Sequence, residues 1–528
     1  MFFKNYKNKF IAHNKKIFQI NKKKNQKKIF LIEFNRWQGV QIANSYIVNT
    51  FPGIKDAKVV AYESYKIFNE KKISILENLK WKLGTLFKIR NFGIYSSFGV
   101  NEFIYYKEDK FLHQRADDIT KSFFLKNKTK KDVENFFCNK IWIGDLIYDS
   151  YLKKYSVPTL DVNSHHFKIF FKECICTFLF WEDYFKNNKI AGVAVSHVVY
   201  LNALTLRIAV KKNIPVFHCV DTQIYRVDKK NCSFKKKFNS PSFKFRNFRK
   251  TFKALKNKSN NLKMGKSFIE NIIYGKKRYF YFPDQSKIKY KLNIFEKNRK
   301  KKIVIFSHAF FDSPHVYGNC IFPDFKTWLE FLGKLSLDTD YDWYIKPHPN
   351  YMDEYRIIEN FISKYPNIKY LNPKIRNLDL VNQGLDFALT VYGSCAAELS
   401  YFGIKVVNAC IYNPHADYNF SFNPKSKEEL RNTIINLSKK KLNLKKKDIY
   451  EFHYMNQYYF HNRYLIDNIE KYFMTKNGRQ ILYTDEFLGE WISNFNIKKH
   501  KKTIEMLKNY FSKNEQYLNL KNTFNYIK

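Results

Sequence analysis

The sequence contains little arginine for so basic a chain. It has 94 lysine or arginine residues against 47 aspartate or glutamate residues, a formal net charge of +47, yet only 14 of the 94 are arginine. Arginine is the side chain best suited to bidentate contacts with phosphates and base edges. We therefore interpret the lysine excess as a composition bias and expect no sequence-specific nucleic-acid binding. Such a charge still favours anionic partners, namely nucleotide phosphates, acidic sugars or an anionic membrane face.

Paired cysteines and long apolar runs are also missing. The eight cysteines show no CxxC spacing, so we expect neither a zinc site nor a disulfide framework, as in a reducing compartment. The longest apolar stretch, 191–210, carries polar residues and favours a strand plus a helix over a membrane span. No apolar segment of a secretory signal follows the lysine-rich N-terminus. The expected location is cytoplasmic, with peripheral contact at the inner face of the membrane.

The apolar pattern predicts two α/β series. At 528 residues the chain is too long for one ordinary domain. An apolar run at 29–34 predicts a buried parallel strand, followed by a helical pattern and a strand at 57–64, and the same order returns between 190 and 219. A second series runs through "KKIVIF", "DWYIK", "IKYL" and "LDFALTV". We predict an α/β fold with two Rossmann-like domains facing a cleft, and a helical C-terminal tail.

The chain divides into five predicted segments. They are a basic lead at 1–28, an N-terminal Rossmann-like acceptor domain at 29–227, a lysine-rich interdomain connection at 228–300, a C-terminal Rossmann-like donor domain at 301–447 and a helical tail at 448–528.

Polar side chains follow three strands of the second series. In open α/β sheets ligands bind beyond the carboxyl ends of the strands, and the residues at these ends are His308, Lys346, His348, Gly393 and Ser394, with Glu398 one turn into the next helix. Each has an ordinary alternative. Taken alone, Gly393-Ser394 is better explained as an ordinary helix start with a serine N-cap, and His308 could be a histidine that stabilises a turn. The helix start beside Gly393 also predicts a phosphate cradle.

The motif "KPHP" at 346–349 is harder to explain by packing alone. Two prolines fix the backbone on either side of His348 and remove two amide donors. Such rigidity indicates that the imidazole is held towards a ligand. Protonated, it could neutralise a phosphate, and neutral, it could donate one hydrogen bond.

This motif carries a resemblance. "KPHP", followed by "VYGSCAAELSYFGIKVV", resembles the donor half of bacterial capsule and surface-polysaccharide glycosyltransferases of the GT-B type with an HP motif, including polysialyltransferases and Kdo transferases. Glycerophosphotransferases of wall teichoic acid synthesis share the pairing. The similarity covers residues 300–412, and "GDLIYDSYL" and "AVSHVVYLNALTLRIA" are similar to segments of surface-carbohydrate biosynthesis proteins.

The resemblance implies roles for individual residues. His348 would contact the donor phosphate and stabilise the leaving group, Ser394 with Gly393 would hold the same phosphate, and Glu398 would lie towards the ribose. The family often has two serines where this chain has Gly393-Ser394. Lys346 and His308 complete the predicted donor set.

No acidic base motif stands out in the first series. The candidates for the catalytic base are Asp145, Asp149, Glu33 and His197. Asp145 follows a glycine and is equally well explained as a strand-tip residue or as a helix N-cap.

The sequence hypothesis is thus an inverting glycosyltransferase that moves a sugar from a nucleotide-sugar donor to a glycan or lipid-linked acceptor. No DxD-like motif marks a strand end, so neither metal nor cofactor is expected. The alternatives are a glycerophosphotransferase or sugar-nucleotide epimerase on the same fold, and a non-catalytic basic scaffold that binds membranes or polyanions.

Overall fold

Two parallel β-sheets, each flanked by helices, organise the chain. A computed structural model describes residues 5–18, 27–64, 75–107, 109–220, 222–275, 293–349, 354–460, 464–466, 475–476 and 479–518. The predicted basic lead, connection and tail each fall partly outside these residues.

The first sheet is built from the N-terminal part of the chain. In order, its elements are α1 (Tyr6–Ile17), β1 (Lys28–Phe34), α2 (Gln38–Thr50), β2 (Ala57–Glu63), α3 (Ile75–Phe87), α4 (Asn91–Ser97), β3 (Val100–Ile104), α5 (Lys110–Lys126), α6 (Lys130–Glu134), β4 (Phe137–Cys138), β5 (Ile141–Trp142), α7 (Gly144–Tyr155), α8 (His165–Asn187), β6 (Ile190–Val195), α9 (Leu204–Lys211), β7 (Val216–Val220) and β8 (Gln223–Val227). Short 3₁₀ turns cover Pro52–Asp56 and Leu201–Ala203.

The second sheet and the remaining helices follow. They are α10 (Ser240–Lys253), α11 (Lys258–Ile273), β9 (Lys301–Phe306), α12 (Phe325–Ser336), β10 (Tyr341–Lys346), α13 (Tyr355–Lys364), β11 (Ile368–Tyr370), α14 (Asn377–Asn382), β12 (Phe387–Thr390), α15 (Cys395–Tyr401), β13 (Lys405–Asn408), α16 (Lys427–Ile435), α17 (Lys446–Tyr454), β14 (Thr475–Lys476), β15 (Arg479–Gln480), α18 (Glu486–Ser493) and α19 (Ile497–Ser512). A π turn (Met455–Tyr459) and a 3₁₀ turn (Ile481–Tyr483) complete the set.

Strand order places both sheets in the doubly wound class. The first has the order β3-β2-β1-β6-β7-β8, in which only β8 is antiparallel, and the second has the order β11-β10-β9-β12-β13, parallel throughout. The direction of winding reverses between β1 and β6 in one sheet and between β9 and β12 in the other. Ligand crevices lie at such switch points. The predicted fold class is confirmed.

The strands form where the apolar runs predict them. β1 is exposed only at its first residue and half-buried at its last, as expected for a strand covered by helices on both faces. Helix starts also follow the sequence. Asp109, Ser164 and Asp324 accept hydrogen bonds from backbone N–H groups in the first turns of α5, α8 and α12, which satisfies donors that the helix itself leaves unpaired.

The C-terminal helices pack back onto the first sheet. Phe511 of α19 contacts the rings of Phe51 and Phe217 at centroid distances of 5.5 and 4.9 Å. In the connection, α11 lies against α17 at Gly265, where an added Cβ would collide with the Tyr450 carbonyl. None of the described helices is long and apolar enough to cross a membrane.

Buried polar contacts join the two α/β units through α7. Asp149 accepts a hydrogen bond from His315 Nδ1 at 2.6 Å, and the Tyr148 hydroxyl donates to Asp324 at 2.5 Å. His315 and Asp324 belong to the segment between β9 and α12. Burial lowers the pKa of His315, whereas the carboxylates of Asp149 and Glu134 raise it. The carboxylates have the larger combined effect, so the pKa lies well above its usual value. These contacts fix how the units meet.

Candidate functional site

The Pro-His-Pro loop begins where β10 ends and is tied to the tip of β9. The His348 backbone N–H donates to the Ser307 hydroxyl (3.2 Å), and the Ser307 N–H donates to the Lys346 carbonyl (3.1 Å). β9 and β10 are neighbours in register from Lys301↔Tyr341 to Phe306↔Lys346, so their polar tips emerge side by side. The predicted proximity of these tips is therefore present in the structure.

Lys346 is a buried cation. The residue is only 6% exposed, and among the described residues no carboxylate lies within 4.0 Å of its ammonium. It lies over the Phe306 ring at 5.9 Å. Burial lowers the pKa of Lys346 to about 8, with weak opposition from Cys395 and Glu398. A buried charge of this kind costs stability unless an anion compensates it.

His348 is neutral near pH 7. Burial and the neighbouring Lys346 ammonium lower its pKa to about 4, while the Asp312 carboxylate acts in the opposite direction. The imidazole therefore presents a hydrogen-bond donor beside the fixed charge of Lys346.

His308 supports the tip of β12. Its Nε2 accepts hydrogen bonds from the backbone N–H groups of Val391 (3.1 Å) and Tyr392 (3.4 Å), so the proton resides on Nδ1. Its ring stacks on Phe325 at 4.9 Å, and burial together with His348 lowers its pKa to about 3. The structure places His308 at the switch point between β9 and β12, as a residue that holds the backbone there.

Gly393 and Ser394 form the turn after β12. The Gly393 N–H donates to the Thr390 hydroxyl at 3.1 Å, and a Cβ at this position would lie 2.8 Å from the same oxygen, which explains the glycine. Ser394 is exposed and precedes α15, but its side chain makes no capping hydrogen bond. Ser394 therefore occupies the N-cap position, as the plain helix-start alternative has it, but without the capping hydrogen bond.

Glu398 lies one turn into α15. Burial raises its pKa, while hydrogen bonding to Asn377 and the Lys346 charge oppose the rise. The Asn377 side-chain amide donates to Glu398 Oε2 at 2.9 Å. α15 has only seven residues, so we do not assign phosphate binding to the dipole of this helix.

The first sheet brings Glu33, Ser196 and His197 together at its own switch point. Glu33 is the last-but-one residue of β1. Its carboxylate accepts hydrogen bonds at 2.6 Å from both the N–H and the hydroxyl of Ser196, which follows β6. His197 Nδ1 lies 2.8 Å from Ser196 Oγ and 3.5 Å from Glu33 Oε1. Burial alone would raise the pKa of Glu33, but His197 and Ser196 lower it to about 2.

These contacts assign the proton on the His197 ring. Since the Ser196 hydroxyl donates its one proton to Glu33, its oxygen accepts from Nδ1, and Nδ1 carries the hydrogen. Nε2 then holds the lone pair. The ring packs against Trp37 at 5.0 Å and its side chain is 23% exposed. In this tautomer Nε2 can accept a proton, which a general base requires.

One hydrogen bond links the segments that follow the two polar clusters. The hydroxyl of Tyr200, three residues after His197, donates to Asp312 Oδ1 at 2.7 Å, and Asp312 is the carboxylate that influences His348. Glu354 lies close by and accepts from the Phe310 N–H at 2.6 Å, and burial raises its pKa to about 7. Neither Tyr200 nor Glu354 carries a sequence signal, because their partners are distant along the chain.

Asp145 lies apart from this cleft set. It is the second residue of α7, rather than a strand-tip residue or an N-cap, and it is fully buried. Arg207 holds it with two hydrogen bonds of 2.9 and 2.6 Å, and Asn239 contacts both. Its side-chain hydrogen bonds are thus to Arg207 and Asn239, and its catalytic role stays a prediction.

Within the described residues no group of three or more histidine, cysteine or acidic side chains is placed to hold a metal ion. All eight cysteines are free thiols.

No protein-family model and no curated protein sequence matches this chain. Among solved structures it is similar to a UDP-GlcNAc 2-epimerase from Neisseria meningitidis bound to UDP-GlcNAc (10% identity, 89% of this chain and 100% of the other, TM-score 0.24). It is also similar to a glycosyltransferase from Rickettsia africae (10% identity, 89% of this chain and 100% of the other, TM-score 0.22). A third similar structure is a UDP-GlcNAc 2-epimerase from Methanocaldococcus jannaschii in complex with UDP-GlcNAc and UDP. It is 11% identical, and the match covers 82% of this chain and 99% of the other, with a TM-score of 0.23. These TM-scores are too low to establish a shared fold, so the fold assignment is based on the order and direction of the strands in the two sheets.

Proposed function

We propose that the protein is a nucleotide-sugar-dependent glycosyltransferase whose donor phosphates bind at Lys346 and His348. The observation that carries this proposal is the buried Lys346 ammonium, which lies at the carboxyl edge of a parallel sheet without a carboxylate within 4.0 Å among the described residues. A diphosphate is the class of ligand that would compensate it. His348, neutral and next to it, adds a hydrogen-bond donor to the same anion.

The leaving group is stabilised on this side of the cleft. As the bond between the anomeric carbon and the donor phosphate breaks, its electron pair goes to the phosphate oxygen. The Lys346 charge and the His348 N–H meet this developing charge in a site with little water, where such interactions are strongest. Ser394, exposed at the next strand tip, extends the polar wall.

The acceptor is activated on the other side. His197 Nε2 takes the proton of the acceptor hydroxyl while the acceptor oxygen forms the new bond to the anomeric carbon, and Glu33 stabilises the resulting imidazolium. In this proposal the base comes from the first unit and the leaving-group site from the second, as a single inverting displacement requires. We choose His197 over Asp145 because Arg207 already pairs with Asp145.

The acceptor proposed from the sequence resemblance is a glycan or a lipid-linked glycan of capsule or surface-polysaccharide biosynthesis. Peripheral contact with an anionic membrane belongs to the same hypothesis. No metal is assigned to the reaction.

An epimerase is the second candidate, since a general base facing a bound nucleotide sugar could equally abstract a proton from a sugar carbon. Incubation with UDP-sugars, CMP-sugars and CDP-glycerol, with and without an acceptor, separates the classes. Acceptor-dependent release of UDP or CMP supports the transferase. Interconversion of two nucleotide sugars without an acceptor identifies an epimerase, and turnover of CDP-glycerol identifies a glycerophosphotransferase. No turnover of any donor, together with no nucleotide binding, supports the non-catalytic scaffold.

A further inference from the structure

Helix α3 has two apolar faces, and within the part of the chain that the structure describes only one of them is covered by protein. On the covered face, the Trp81 ring contacts Phe34 at 5.3 Å, Phe92 at 5.0 Å and Tyr105 at 5.3 Å. Gly84 lies on the same face and lets the Phe92 ring approach the helix backbone. These contacts fix α3 over the carboxyl edge of the first sheet.

The opposite face carries large apolar side chains in water. The exposed set with its exposed fractions is Leu79 (50%), Leu83 (41%), Leu86 (72%), Phe87 (65%) and, just past the helix end, Ile89 (50%). The first four recur at spacings of four, three and one residues, which places them along one side of the helix. A contiguous exposed apolar surface of this kind marks an interaction site.

Basic residues surround this face. Between residues 79 and 90 the sequence has four basic residues and no acidic one, and Lys80, Lys82, Lys88 and Arg90 are all exposed. Within the parts of the chain that the structure describes, none of the four forms an ion pair with a carboxylate. Interfaces between proteins contain little lysine at their core. A membrane surface is different, because apolar side chains can enter among the acyl chains while neighbouring lysines contact the anionic headgroups.

We propose that the outer face of α3 docks the protein on an anionic lipid surface. Leu86 and Phe87 enter the headgroup region, and the lysines contact lipid phosphates. The charge of the rim argues for this occupant over a second copy of the chain, because two such rims would repel each other.

The covered face of α3 packs near the end of β1, because Trp81 contacts Phe34, the residue that follows Glu33. If the proposed function holds, on which this consequence rests, docking presents the headgroup of a lipid-linked acceptor to His197.

The test is co-sedimentation of the full chain with vesicles of phosphatidylcholine alone or with 30% phosphatidylglycerol. We expect the unchanged protein to partition at least about tenfold more strongly into the anionic vesicles. Partition should weaken by at least about tenfold in Leu86→Glu/Phe87→Glu and should also decrease in Lys80→Gln/Lys82→Gln/Lys88→Gln. Leu337→Glu is the matched control, because Leu337 is 67% exposed on the second unit, and it should bind like the unchanged protein.

Equal partition of the α3 double variant and the Leu337→Glu control would overturn the proposal, as would no partition of the unchanged protein. Analytical ultracentrifugation without lipid provides the competing outcome. A self-association abolished by the α3 variant, without vesicle binding, identifies an interface between copies instead. All substituted side chains are exposed, and circular dichroism verifies folding. Nucleotide titration of the same variants keeps this proposal separate from the proposed function, since vesicle binding is expected whether or not nucleotide binds.

Discussion

The Tyr200 hydroxyl of the first α/β unit donates a 2.7 Å hydrogen bond to the Asp312 carboxylate of the second. It joins the loop that carries His197 to the segment that influences His348. This bond adds to the contacts of α7 with the segment between β9 and α12 that join the two units.

Replacing Tyr200 with phenylalanine removes only this hydroxyl. Hydrogen bonds to charged groups contribute about 1.5–3 kcal/mol when buried, and less for the half-buried Asp312. We expect Tyr200→Phe to weaken donor affinity by about two- to tenfold. Tyr365→Phe, which removes a hydroxyl that donates to Glu330 at 3.1 Å within the second unit, should leave donor affinity unchanged. Identical behaviour of both variants would show that the bond does not set the cleft.

Lys346→Met is expected to stabilise the ligand-free protein. The pKa of Lys346 falls from 10.5 to about 8 on burial, which corresponds to about 3 kcal/mol of destabilisation at neutral pH. Between about pH 8 and 10.5 the folded state has lost the proton while the unfolded state still holds it, so stability of the unchanged protein rises there. The melting temperature of Lys346→Met should therefore exceed that of the unchanged protein at pH 7 by more than at pH 9.5. A lower melting temperature at pH 7 would contradict this account of Lys346.

The positions of the polar residues at the ends of β9, β10 and β12 could be predicted from the sequence, because these residues follow strands that apolar runs indicate. The Pro-His-Pro motif does stand at the end of β10, beside the tips of β9 and β12. The base could not be assigned in the same way. Glu33 and Ser196 are 163 residues apart and meet only because β1 and β6 are neighbours, which a pattern along the chain does not specify. Asp145 similarly reads as a strand tip or a cap, whereas Arg207, 62 residues away, draws it into a buried pair.

Glu33→Gln is expected to lower the transfer rate by about 10²–10⁴ while nucleotide affinity stays within about twofold, because Gln cannot stabilise the imidazolium of His197 as a carboxylate does. His197→Ala should have a similar effect, and the double variant should be scarcely worse, since the two residues act as a unit. Glu102→Gln, at the surface pair with Lys58, is the control. Steady-state turnover in Glu33→Gln equal to that control would exclude the dyad.

Asp145→Asn distinguishes a structural from a catalytic carboxylate. Removing one partner of a buried ion pair costs about 3–5 kcal/mol, and Arg207 is only 1% exposed. We expect a clear drop in melting temperature with turnover per folded molecule largely kept. Asp183→Asn, in a half-exposed pair with Arg115, should cost less than about 1 kcal/mol. Turnover lost by more than a hundredfold at an unchanged melting temperature would instead establish Asp145 as the catalytic base.

The central claim is that the cleft binds nucleotide phosphates at Lys346 and His348. Isothermal titration of the full chain with UDP and with CMP measures this directly. We predict saturable binding of at least one nucleotide, weakened by about 10- to 100-fold in Lys346→Met and in His348→Ala, and unchanged in Leu337→Glu. Binding of neither nucleotide at millimolar concentration, or affinities in Lys346→Met and His348→Ala equal to that of the unchanged protein, would contradict it.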